Sequence, residues 1–354
     1  MEKGSANEVM PLLTIAIPTW NRASYLAQTL EQLRRESGHA IPGTVEFLVS
    51  DNCSPDATTE VVQKAQASGL SIRYVRNARN IGADANIAQC FNLALGRYVL
   101  ILGDDDLLVD GTLSWLLDCL ARRNWGVVCL RAYGFNDNFR IEYPGGTGKE
   151  LEFEDGGAFL VAAGALITLI SSCVINKGLL PSVDASAFCG GNLVQMHLVI
   201  QSALVAQENL LVKRYRIACK RNNSGGYDFS RVFVEELGRI LDRYQSKGLT
   251  PRAIRQFETR LLVGYYPFYA FRQRLRSTGD CTTTYRRFSD RFGTRILFLY
   301  WIGPILSLPR PFALAWGAAV TLVGRVATGD LRRGAMFAWN LLRQHHYLAA
   351  RRST

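Results

Sequence analysis

Four short apolar runs, each closed by polar residues, most constrain what this chain can fold into. Leu12-Leu13-Thr14-Ile15-Ala16-Ile17 ends at Pro18, and Val45-Glu46-Phe47-Leu48-Val49-Ser50 ends at Asp51-Asn52. Ile72-Arg73-Tyr74-Val75 precedes Asn77 to Gly82, and Tyr98-Val99-Leu100-Ile101-Leu102 ends at Gly103-Asp104-Asp105-Asp106. Runs of this length bounded by turn residues fit buried strands. Helical spacing lies between them. Ser24 is placed to cap a helix carrying Tyr25, Leu26, Thr29, Leu30 and Leu33. Ser54-Pro55 predicts a cap followed by proline at the first helical position, ahead of Val61, Val62 and Ala65. Asp84 is a candidate cap for a helix with Ile87, Phe91 and Leu95, and Gly126 to Leu130 predicts a fifth strand. Strands alternating with helices imply an α/β fold, a mostly parallel sheet with right-handed crossovers.

In such sheets ligands bind beyond the carboxyl ends of the strands. The polar residues are placed accordingly. Pro18-Thr19-Trp20-Asn21-Arg22, Asp51-Asn52-Cys53-Ser54, Asn77 to Gly82 and the Asp triplet all fall at one sheet edge. Three carboxylates at a strand end repel one another and lose solvation, so the site calls for a cation. A hard divalent ion, bound by carboxylate oxygens and shared with a diphosphate, suits them. No Gly-x-Gly-x-x-Gly follows the first strand and no Gly-Lys-Ser/Thr loop is present, which argues against dinucleotide cofactors and nucleoside triphosphatases.

The ordered segments TIAIPTWNR, VEFLVSDNCS, RNIGADAN and YVLILGDDDLL resemble the family 2 glycosyltransferases of the GT-A fold. The resemblance covers residues 12–135 well and continues loosely to about 215. It implies a Rossmann-like catalytic domain over residues 1–215, moving a sugar from a nucleotide-diphosphate donor to an acceptor hydroxyl. A divalent metal, Mn²⁺ or Mg²⁺, and inversion at the anomeric carbon are implied with it. The donor side would comprise Pro18, Thr19, Asn21, Arg22, Asp51, Asn52, Asn80, Gly82 and Asp104, with Asp105 and Asp106 for the metal. Asp51 would read the base, and Asn52 stands where a second Asp is commoner. The family often writes Asp-x-Asp-Asp, and Gly103 replaces the first of these. The LGDDDLL form is similar to the branch that transfers dideoxyhexoses such as abequose. Family members usually carry an acidic general base ahead of a helix further on, but FCGGNLVQMHLVIQSALV contains no acid. Asp184 just upstream and His197 within it are the alternatives. The missing acid also leaves open a sugar-nucleotide-binding membrane scaffold without turnover.

Charge divides the 354 residues unevenly. Residues 210–354 hold 26 Lys/Arg against 8 Asp/Glu, a net of +18, whereas residues 1–209 net −7. The basic part, 216–354, reads as mainly helical. Leu261 to Tyr269 is rich in aromatics, and Ile296 to Ile302 and Phe312 to Gly324 are apolar. Neither of the last two reaches the ~20 residues a membrane span needs. Short apolar helices among arginines suit an anionic membrane surface, with packing or dimer contact as the alternative. No nucleic-acid motif accompanies the charge, so nucleic acid is not an expected partner. Met1 to Met10 is polar, unlike a signal peptide. The eight cysteines form no Cys-x-x-Cys pair and are expected as reduced thiols. The expectation is a cytoplasmic enzyme, peripheral on the inner face of the plasma membrane, extending a lipid-linked glycan of O-antigen or similar polysaccharide.

Overall fold

The computed structural model describes residues 10–327 apart from 39, 40, 42, 147 and 222–225. The residues from 328 onward, part of the expected basic region, lie outside the described residues. The chain divides into two compact units. The first runs to Gly226 and takes in Ile240–Ile254; the second holds Tyr227–Arg239 and the chain from Arg255 on.

The first unit is built on a nine-stranded sheet. Its parallel part comprises β1 (Leu13–Thr19), β2 (Val45–Asp51), β3 (Ile72–Arg76) and β4 (Tyr98–Ile101), in the order β3-β2-β1-β4. Helices α1 (Ala23–Ser37), α2 (Thr58–Ala67) and α3 (Ala83–Leu93) are the crossovers. Short β5 (Leu107–Leu108) follows the Asp triplet, then α4 (Thr112–Arg122) and β6 (Trp125–Phe135), the predicted fifth strand at greater length. Four elements complete the sheet side: β7 (Glu150–Phe153), α5 (Gly156–Ala163), β8 (Cys173–Asn176) and β9 (Glu208–Lys220), with α6 (Val194–Val205) before β9. β8 runs antiparallel between β4 and β6, while β6 and β9 are parallel. The core is continuous. Leu13, Ile15, Ile17, Val49, Leu100 and Leu102 pack with Leu26, Leu30 and Leu33 of α1 and Leu113 and Leu116 of α4. Each such fully buried side chain contributes about 1.5–3 kcal/mol.

The helix starts differ from the sequence reading. α1 begins at Ala23 after Arg22, so Ser24 lies inside it. α2 begins at Thr58 after Ala57, with Asp56 accepting from the Thr58 amide at 3.3 Å and its hydroxyl at 2.6 Å. Ser54 is committed elsewhere: its Oγ accepts from the Asn21 amide at 2.9 Å. α3 begins after Gly82, and Asp84 sits in its first turn without capping it. Gly82 has φ +89° and ψ 158°, a conformation that suits glycine alone. At the other end, Lys177 Nζ donates to the carbonyls of Phe91, Asn92 and Ala94 at 2.9, 2.9 and 2.6 Å. A cation on the last carbonyls of a helix also complements its dipole.

The chain continues through α7 (Leu237–Arg243) and α8 (Pro251–Arg260), then α9 (Tyr266–Arg276), α10 (Cys281–Phe292), α11 (Gly303–Ser307) and α12 (Arg310–Ala327). In the second unit Glu258 is buried and paired with Arg291 at 2.7 Å and Arg295 at 3.1 Å. The aromatic run at Leu261–Tyr269, expected at an interface, is partly core. Tyr266 is buried with its hydroxyl on the Phe233 carbonyl at 2.7 Å, and Tyr269 stacks on Phe229 at 4.0 Å. Exposed apolar side chains lie at Ile296, Leu299 and Tyr300 and on α12. Ala313, Gly317, Val320 and Gly324 face inward, while Phe312, Trp316, Leu322, Val323 and Val326 are exposed. Among the described residues no helix is long and apolar enough to cross a membrane.

Candidate active site

Register brings the site together. Thr19 ends β1 opposite Asp51, and Asp51 pairs with Arg76 of β3. Pro18 pairs with Ser50 in the same ladder. Continuing the β1–β4 pairing beyond Ala16 and Ile101 brings Thr19 level with Asp104. The side chains agree: Thr19 Oγ1 donates to Asp104 Oδ2 at 2.8 Å. Arg22, at the entrance to α1, donates from Nη1 to Asp104 Oδ1 at 2.9 Å and lies 3.5 Å from Asp105 Oδ2. Thr29 of α1 donates to the Asp104 carbonyl at 2.8 Å, so the triplet is fastened to α1 as well as to β1. Burial opposes charge on Arg22, but the carboxylates of Asp104 and Asp105 outweigh it and raise its pKa.

The triplet is electrostatically loaded. Burial pushes Asp104 up to about 6, against the pull of Arg22 and Thr19. Burial, joined by the charge of Asp105, pushes Asp106 up to about 7, although Ser171 donates to its Oδ2 at 2.5 Å. Both shifts follow chiefly from burial, which disfavours the charged carboxylate. Gly103 explains the crowding. A Cβ there would meet Asp105 Oδ1 and Asp106 Oδ2, each at 3.2 Å. The bare backbone thus leaves a cradle on which two carboxylates converge. Among the described residues no three His, Cys, Asp or Glu side chains form a ready-made metal cluster. Two converging hard oxygen donors fit a divalent ion completed by ligand oxygens.

The rest of the rim is pinned by amides. Asn52 spends its whole side chain on the loop before α3. Its Nδ2 donates to Asn80 Oδ1 at 2.8 Å and the Gly82 carbonyl at 3.3 Å, and its Oδ1 accepts from the Ile81 amide at 2.9 Å and Asn77 at 3.2 Å. Asn80 Oδ1 also accepts from the Gly82 amide at 2.8 Å. Asp51 is fully buried, taking the Ser54 amide on Oδ1 at 2.8 Å and the Tyr74 hydroxyl on Oδ2 at 2.6 Å. Asn21 and Cys53 hold φ of 55° and 63°, left-handed conformations that concentrate at functional loops. Pro18, Thr19, Asn21, Arg22, Asp51, Asn52, Asn80, Gly82, Asp104, Asp105 and Asp106 thus share one sheet edge.

The two candidate bases take their partners from elsewhere than the triplet. Asp184 caps a 3₁₀ turn and accepts from Asn92 at 2.6 Å, near the end of α3. At 1.5 Å per residue that is about 12 Å along the helix from the turn holding Asp84. His197 is buried, stacked on Phe188 at 4.4 Å with Nδ1 3.1 Å from the Tyr244 hydroxyl. Burial, then Arg243 and Lys247, lowers its pKa to about 4. Two contributors escaped sequence reading: Ser171, in an unmarked apolar stretch, and Asp84, taken for a cap. Asp84 Oδ2 accepts from the amides of Gly190 and Asn192, both at 2.8 Å, tying the segment before α6 to the start of α3.

Residues 14–169 match the domain described as glycosyl transferase family 2. Over that segment, less than half of the chain, the sequence is similar to glycosyltransferase family 2. It is similar to abequosyltransferase RfbV of Salmonella typhimurium, 25% identical over 226 residues, which cover 60% of this chain and 67% of that protein. It also resembles the GalNAc(5)-diNAcBac-PP-undecaprenol beta-1,3-glucosyltransferase of Campylobacter jejuni, at 33% identity over 30% of this chain and 34% of that one. The fold is that of S. aureus TarS 1-349, solved in complex with UDP-GlcNAc: the TM-score is 0.62 at 15% identity, covering 90% of this chain and 92% of that one. The chain therefore combines a GT-A-like, mostly parallel sheet flanked by helices with a helical C-terminal region. The family match stops at residue 169, after the triplet and short of Asp184, Gly190 and His197.

Proposed function

We propose that this protein transfers a sugar from a nucleotide-diphosphate-sugar to a hydroxyl of a lipid-linked glycan in cell-surface polysaccharide assembly, with inversion. The observation that carries the donor side is the cluster of Thr19, Arg22, Asp104 and Asp105, with two carboxylates converging over Gly103. The name of the Campylobacter relative, a GalNAc(5)-diNAcBac-PP-undecaprenol glucosyltransferase, supports a lipid-linked acceptor.

Asp105 and Asp106 would hold a divalent ion, Mn²⁺ or Mg²⁺. When bound, that ion supplies positive charge against the diphosphate as it leaves, on the order of several kcal/mol. The residues of the chain do the rest. Asp104, fixed by Thr19 and Arg22, faces the ribose side. Asp51, with Tyr74 and Arg76 around it, forms the base end of the pocket, and Asn52 sets the Asn80–Gly82 loop behind it. Arg22 lies close enough to the acids to attract phosphate oxygens as well.

The same reading puts the enzyme on the cytoplasmic membrane surface. Residues 255–327 carry eleven arginines, no lysine and three acids, beside the exposed apolar face of α12. Arginine pairs bidentately with phosphate, and short apolar faces lie within the interface.

The deciding experiment is a thermal-shift screen of UDP-, CDP-, GDP- and dTDP-sugars with Mn²⁺ or Mg²⁺. A donor at a hundred times its Kd adds ~2.7 kcal/mol. Stabilisation by a sugar nucleotide only with metal is expected; no response to any of them contradicts the reading.

A further inference from the structure

Transfer to a hydroxyl needs a base for its proton, on the side of the sugar away from the diphosphate. The acids at this sheet edge can be taken in turn. Asp51 has both oxygens occupied. Asp56 is spent on the Ala23 amide at 2.8 Å and on Thr58. Asp104 is bound by Thr19 and Arg22, and Asp105 and Asp106 face the cradle over Gly103. Asp84 remains. It is half-buried in the first turn of α3, two residues past the Gly82 that Asn52 holds. Asn52 in turn bonds from its amide to the Thr19 carbonyl at 2.9 Å, and Thr19 to Asp104. Short links therefore run from the triplet to this turn.

The other side of Asp84 is as telling. Gly190 and Asn192 point their amides at Oδ2, and both residues take left-handed conformations, at φ 114° and 57°. Asn192 is one of four described non-glycine residues with positive φ, and two of the others, Asn21 and Cys53, border the donor cluster. Two amides fix one carboxylate oxygen, while Oδ1 has no partner among the described residues. A carboxylate oriented through one oxygen and open at the other is a suitable proton acceptor.

We infer that Asp84 is the general base, standing in for the acid that the segment ahead of α6 lacks. The inference rests on the transfer reading above. The acceptor O–H gives its proton to Asp84 Oδ1. The acceptor oxygen bonds to the anomeric carbon while the bond from that carbon to the diphosphate oxygen breaks. Its electron pair leaves with the diphosphate.

The test measures nucleoside diphosphate release from UDP-, CDP-, GDP- and dTDP-sugars, with octyl glycosides and water as hydroxyl acceptors. Donor Kd is titrated in parallel. Asp84→Asn keeps an acceptor oxygen for the Gly190 and Asn192 amides but cannot take a proton at neutral pH. Release should fall by ~10²–10⁴ while donor Kd stays within about threefold. Asp84→Ala should lose release too, and its melting temperature reports what the loop tie contributes. Normal release by Asp84→Asn overturns the assignment, as does loss of release in Asp184→Asn or His197→Gln instead. If wild-type protein binds no donor at all, the transfer reading fails before the base is in question.

Discussion

Each acid in the triplet is distinguished by its neighbours. Asp104 is anchored to Thr19 and Arg22, Asp106 to Ser171, and Asp105 lies nearer the open side with Arg22 beside it. Asp105→Asn and Asp106→Asn should therefore each abolish most transfer without unfolding the protein, as checked by turnover and circular dichroism. Near wild-type rates in either would remove the carboxylates from the mechanism. His197 gives a prediction of another kind. Its folded pKa of about 4 lies below the ordinary 6.5, because its buried ring resists charge. As pH falls, the unfolded chain protonates first. This group's contribution is complete above pH 6.5 and is lost as pH drops through 4. Urea midpoints of wild type should fall more steeply between those values than those of His197→Gln; parallel curves would contradict it.

Among the elements, the loop from Asn77 to Gly82 shows how backbone and side chain share the task. Gly82 takes a φ open to glycine, and nothing lies within 4 Å of a Cβ built there. Gly82→Ala therefore costs conformational strain alone, about 1–3 kcal/mol. Its urea midpoint should drop with an unchanged m-value; an unchanged midpoint would show that the loop adapts freely. Much of this was legible in sequence. Apolar runs ending at Thr19, Asp51 and the triplet define parallel strands, and equal strand ends put those residues at one edge. What was not legible depends on contacts distant in sequence. Ser54 looked like a cap because local pattern cannot show that its hydroxyl is claimed by Asn21, 33 residues away. Asp84 looked like a cap for the same reason, its partners being 106 and 108 residues on. β8 was missed because a four-residue strand, fully buried between β4 and β6, has no alternation to reveal it.

At the level of the whole molecule, charge and apolar exposure coincide in the second unit. α12 turns small residues inward and Phe312, Trp316, Val323 and Val326 outward, in a segment whose cations are all arginine. Full-length protein should float with phosphatidylglycerol-containing vesicles. The double variant Trp316→Asp with Val323→Asp should not, and it should keep its fold because both positions are exposed. Flotation should weaken as salt cuts the Debye length from ~10 Å at 0.1 M to ~3 Å at 1 M. Equal flotation of the double variant would assign the face to packing or self-association instead. Transfer by this protein depends on the strand-end cluster being a metal-assisted donor site. Calorimetric titration of UDP-, CDP-, GDP- and dTDP-sugars with Mn²⁺ into wild type and Asp105→Asn tests that most directly. At least one donor should bind wild type in a metal-dependent way, and the variant should bind it about tenfold or more weaker, ~1.4 kcal/mol. Equal affinity in both proteins, or binding indifferent to the metal, would contradict the account.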